Sequence, residues 1–133
     1  MLVVDSSVWI DYFRGAIDAR TDELNRLLIT SEVRIVVPDL VFYEVLRGFR
    51  LDREHRRARS LLEIFGVEAT GGADLALRAA EHYRALRAVG RTIRNSVDVL
   101  IASHCIEQDY LLLHNDRDYD AFAAHRGLRL WHQ

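Results

Sequence analysis

Residues 1–10 read MLVVDSSVWI, and this stretch decides the fold. Leu2, Val3 and Val4 form a short apolar run that stops abruptly at Asp5. A continuous apolar run of this kind reads as a fully buried strand. Ser6 and Ser7 follow, and SSVWIDYFRG then reads as a helix, with Ser6 as N-cap and Gly15 as its stop. A buried strand thus runs straight into a helix, with a carboxylate at the join.

The same alternation continues outward. A helix is expected over 18–30, where Leu24, Leu27 and Leu28 share a face. VRIVV at 33–37 reads as a second strand, and Pro38 suits the first turn of a helix reaching about Gly48. Further helices are expected over 52–65, over 72–89 and over SVDVLIASHCIEQ, the last capped by Asn95 or Ser96. VEAT, LLLH at 111–114 and LRLW read as strands, and RDYDAFAAH as a short helix stopped by Gly127. Strands alternating with helices predict an α/β domain with a parallel sheet covered on both faces. Sites in such sheets form beyond the carboxyl ends of the strands.

Composition narrows the function. A chain of 133 residues fits one domain, 1–133, and the half that is hydrophobic suffices for a packed core. The net charge of −2 argues against a globally basic nucleic-acid binder, though not against a local basic groove. All 18 basic residues are Arg, so a P-loop, which needs Lys, is excluded. Cys105 is the single cysteine and cannot form an internal disulfide or a Cys-rich zinc site. The histidines show no HExxH spacing, and no apolar run approaches membrane-spanning length. The opening lacks a basic n-region and is cut by Asp5, unlike a signal peptide. A reduced, cytoplasmic protein is the expectation.

Four acids stand where acids are unusual. Asp5 ends a buried strand, although a helix cap explains it equally well. Glu44 sits in PDLVFYEVLRG with Leu40 and Val41 one turn earlier, on an apolar helix face. A buried carboxylate there needs an ion-pair partner such as Arg47, or a metal. Asp98 lies in the first turn of its helix, and Asp116 follows a buried strand in LLLHNDRDYD, where an Asx turn is the alternative. If strands 2–4 and 111–113 are neighbours, Asp5 and Asp116 approach each other. Converging carboxylates without Lys partners repel, and a hard divalent cation, Mg²⁺ or Mn²⁺, relieves that. Such ions also activate water and stabilise leaving oxygens in phosphodiester hydrolysis.

With these segments in order, the chain resembles PIN-domain ribonucleases of the VapC toxin type. VVDSSVWIDYFRG, VPDLVFYEVLRG and GRTIRNSVDVLIASHCIEQDYLLLHNDRDYDAF carry the resemblance, which spans nearly the whole chain. It implies a three-layer α/β/α fold with a parallel sheet of about five strands. It implies a Mg²⁺- or Mn²⁺-dependent endoribonuclease, the toxin of a type II toxin–antitoxin pair, that hydrolyses RNA phosphodiester bonds. Asp5, Glu44, Asp98 and Asp116 become the catalytic and metal-binding acids, with Asp118 close by. Ser7 matches a small hydroxyl near the first acid, and His114 stands where many members carry Thr or Ser. A VapB-type antitoxin and a homodimer within a heteromeric complex are the implied partners.

Arg94 precedes Asp98 by about one turn and is a candidate for substrate phosphate. The Arg-rich stretch RGFRLDREHRRARS reads as a solvated helix balanced by Asp52, Glu54 and Glu63. Trp9, Tyr12 and Phe13 read as core, as does Trp131, in preference to base-stacking groups. The competing class is a catalytically weak PIN-like module that binds RNA or protein. A receiver domain would need a Lys, and a haloacid-dehalogenase-like phosphatase an Asp where Ser7 stands.

Overall fold

A computed structural model describes residues 1–132. The elements run β1 (Leu2–Val4), α1 (Ser6–Phe13), α2 (Ala19–Thr30), β2 (Ile35–Pro38), α3 (Asp39–Leu46) and α4 (Asp52–Ile64). They continue with β3 (Val67–Glu68), α5 (Ala73–Ala88), α6 (Ser96–Gln108), β4 (Leu111–Leu113), α7 (Asp118–Arg126) and β5 (Arg129–Leu130). The five strands form one parallel sheet in the order β3-β2-β1-β4-β5, flanked by helices. α1 to α4 pack among themselves, and α5, α6 and α7 form a second group.

β1 is the middle strand, and Leu2, Val3 and Val4 are all fully buried. That is why its sequence is apolar without alternation: both faces are covered. Val4 lies opposite Leu113, and the Asp5 N–H carries the ladder one step further to the Leu113 carbonyl at 2.9 Å. The chain winds outward from β1 through β2 to β3, then returns to β4 on the other side of β1. The switch between β1 and β4 opens a crevice at their carboxyl ends, where α/β sheets bind ligands.

Several boundaries differ from the sequence expectation by a residue or two, and two of them border the acids. Asp5, not Ser6, is the N-cap of α1, because the strand releases the chain one residue earlier and the Asp5 carboxylate faces the Ser7 N–H at 3.3 Å. Pro38 ends β2 and caps α3, one position before the expected first turn. Its ψ of 146° is extended, and it pairs with Glu68 in the ladder. Asn95 is the cap of α6, its Oδ1 accepting the Val97 N–H at 2.9 Å.

Candidate metal centre

Asp5 leaves the end of β1, Glu44 projects from α3 and Asp98 from the first turn of α6. Each is buried, and one carboxylate oxygen from each lies within 4.8 Å of the others. Among the described residues no other group of acids, histidines or cysteines converges in this way.

Hydroxyls hold the three carboxylates. Ser6 Oγ donates to Glu44 Oε1 at 2.8 Å, and Ser7 Oγ donates to Asp5 Oδ2 at 2.6 Å. The two serines after β1 therefore serve two different acids. The Tyr119 hydroxyl, from α7, lies 2.7 Å from Asp5 Oδ1 and 3.1 Å from Asp98 Oδ1. A phenol carries one proton and cannot donate fully to both. Burial, then the Asp5 charge, pushes the Asp98 carboxyl up to about 7. Tyr119 Oη thus makes its shorter contact with Asp5 and its longer one with Asp98, whose carboxyl is the one raised. Burial also raises Glu44, and the Ser6 hydroxyl opposes that shift.

The ion pair expected as the ordinary explanation of Glu44 is weak here. The Arg47 guanidinium is 3.9 Å from Glu44 Oε2, more than half exposed, and lies over the Tyr43 ring. It does not neutralise three buried acids. All-oxygen donors with surplus negative charge suit a hard divalent cation, so the residues present fit the implied metal.

Asp116 and Asp118 stand outside the group of three. Asp116 Oδ1 accepts the Asp118 N–H at 2.9 Å, an Asx turn that starts α7. Asp116 is still near enough for its charge to raise Asp98. The His114 imidazole accepts the Asp116 N–H at Nδ1, 3.1 Å away, and burial holds its pKa down. It braces the Asp116 turn and its ring packs 5.1 Å from Tyr119. Arg94 is exposed and lies in the segment before the α6 cap rather than on the helix. Trp9 is fully buried and stacks on Phe13, as core residues do.

Sequence reasoning missed Ser6 as a carboxylate partner and missed Tyr119 altogether. The one available signal for Tyr119 was a single aromatic hydroxyl flanked by acids in RDYD.

The PIN-domain family pattern matches residues 2–125. Ribonuclease VapC11 of Mycobacterium tuberculosis is 33% identical over 131 residues, covering 97% of this chain and 96% of that protein. The chain belongs to the PIN-domain family of VapC ribonucleases. VapC ribonuclease Mb1587 of Mycobacterium bovis matches this PIN domain at the same identity and coverage. Among solved structures, VapBC2 of Rickettsia felis bound to a promoter DNA fragment superposes with a TM-score of 0.72 at 21% identity. That match covers 98% of this VapC-type chain and 96% of the other. No helix among the described residues of this PIN domain is long and apolar enough to cross a membrane.

Proposed function

We propose that the chain is a Mg²⁺- or Mn²⁺-dependent endoribonuclease, the toxin of a type II toxin–antitoxin pair, with Asp5, Glu44 and Asp98 holding the metal. The observation that carries the reading is the convergence of three buried carboxylates at the carboxyl ends of β1 and β4, with only the exposed Arg47 at 3.9 Å from one of them. Membership of the VapC ribonuclease family supports the substrate and the reaction.

A divalent ion held there supplies Lewis-acid polarisation of the phosphate oxygens. The chain's own groups set the geometry. Ser7 and Ser6 fix the Asp5 and Glu44 carboxylates, and Tyr119 ties Asp5 to Asp98. Asp116 adds negative charge beside Asp98, with Asp118 next to it at the start of α7. Arg94 is the exposed cation nearest in sequence to Asp98 and meets the RNA backbone at the mouth. A VapB-type antitoxin is the partner, by analogy with the VapBC complexes that share this fold. The working unit is a homodimer within the heteromeric complex.

The test is to purify the chain free of any partner and incubate it with structured RNA and Mn²⁺. Cleavage is expected to vanish in excess chelator. Asp98→Asn should lower it by more than the roughly ten- to hundredfold typical of lost outer-shell contacts. Cleavage that persists in chelator, or that Asp98→Asn leaves unchanged, would refute the metal mechanism.

A further inference from the structure

A polar cavity of about 380 Å³ is lined by His114 and Asp116 and by none of the three acids. Arg20, Arg117, Asp120 and Trp131 are among the other residues of its wall. That volume is within the range of small-ligand sites. The cavity adjoins the metal centre: the His114 ring packs on Tyr119, which touches Asp5 and Asp98.

Two of its side chains are set in place. Arg20 is half-buried, and its Nε donates to the His114 carbonyl at 2.7 Å. Among the described residues its remaining guanidinium N–H groups have no protein partner and no carboxylate in ion-pair range. The fork is thus oriented but uncommitted, a state suited to phosphate. Trp131 is pinned twice: its backbone N–H donates to the Leu112 carbonyl at 2.8 Å, and its indole N–H donates to Glu23 Oε2 at 2.9 Å. A fixed, partly exposed indole is a platform for a nucleobase. The two carboxylates of the cavity each face one neighbour and keep their charge. Asp116 Oδ1 takes the Asp118 N–H, and Asp120 Oδ1 lies 3.6 Å from His114 Nε2. The wall sets Arg20 and Arg117 against Asp116 and Asp120, and what it holds oriented is the Arg20 fork and the Trp131 indole.

We propose that this cavity is a nucleotide subsite for single-stranded RNA: Trp131 stacks the base and Arg20 takes the adjoining backbone phosphate. The proposal rests on the ribonuclease reading above and adds to it where the RNA is gripped beside the cut.

The test separates grip from cleavage. A short single-stranded RNA carrying a terminal fluorophore is titrated into the full chain in excess chelator; anisotropy of the RNA gives the affinity at several salt concentrations, and tryptophan emission is followed alongside. The wild type is expected to show saturable quenching of Trp131 above a constant background from buried Trp9. Trp131→Leu should weaken binding by about tenfold, the loss of one stacked base, and Trp131→Phe should keep most of the affinity. Arg20→Gln should flatten the slope of log K against log salt by about 0.7, one phosphate contact, while Arg20→Lys keeps the slope. A purely structural Arg20 would leave the slope unchanged. Affinity and slope equal to those of the wild type in all four variants, or quenching that survives Trp131→Leu, would overturn the subsite. So would emission that ignores RNA but responds to a carboxylate-bearing peptide, which would make the cavity a protein-partner site. Mn²⁺-dependent cleavage by the wild type is scored separately: its absence sinks the ribonuclease reading, whereas intact cleavage with unchanged binding sinks only the subsite.

Discussion

One phenol joins two acids drawn from distant parts of the chain. Tyr119 Oη contacts Asp5 and Asp98, and its proton is what keeps their facing oxygens from repelling. Tyr119→Phe removes that proton and leaves the ring. The apparent affinity for Mn²⁺ should fall by about tenfold, as for other outer-shell partners of metal ligands. Isothermal titration of the metal into the purified variant checks this, with circular dichroism to verify the fold. Asp5 and Glu44 were legible because each broke a local rule, a carboxylate ending a buried strand and one sharing an apolar helix face, whereas Asp98 holds an ordinary first-turn position and was singled out by the resemblance. Tyr119 broke none. A tyrosine in an amphipathic helix is ordinary, and its contact with Asp5 spans 114 positions, beyond any local pattern. Asp116 stands beside the three acids, and its charge still raises Asp98. It follows a buried strand as Asp5 does, but its carboxylate is taken up in starting α7.

At the scale of elements, the aim of Asp98 depends on where α6 begins. Asn95 fixes that start by accepting the Val97 N–H. Asn95→Ala should cost about 1 kcal/mol of stability in urea unfolding, the usual loss for such a cap. The second helical group is tied by His82, which takes the Arg126 N–H at Nδ1, 2.9 Å away, and meets Glu107 at 3.2 Å through Nε2. His82→Ala strands two partners at a largely buried junction, so a loss of about 1–3 kcal/mol is expected by the same measurement. The elements themselves were legible, since apolar runs, caps and Gly stops are local signals. The ends were less so. Ser6 looked like the cap because Ser is a favoured cap residue, but the pairing of β1 with β4 decides where the strand lets go. The order of strands was not written locally either: β1 lies beside β4, which follows it by more than a hundred residues.

The whole molecule carries the strain of its site as a dependence on pH. Asp98 titrates at about 7 in the folded chain against an ordinary 3.8. Between those values the folded chain keeps a proton that the unfolded chain has released. Stability of the metal-free protein should therefore be greatest at acid pH and fall as pH rises towards 7, by at most about 1.4 kcal/mol per unit from this group. Glu44, also raised, pushes in the same direction. Asp98→Asn should flatten most of the slope. Above neutrality, Mn²⁺ at a hundredfold excess over its Kd should restore about 2.7 kcal/mol, read as a rise in melting temperature. The order of the strands also has a consequence for biosynthesis. Asp5 and Glu44 leave the ribosome early, but β1 has no inner neighbour on its second side until β4 has been made, and Tyr119 comes later still. The site therefore closes only after β4 and α7 have been made and have docked beside β1.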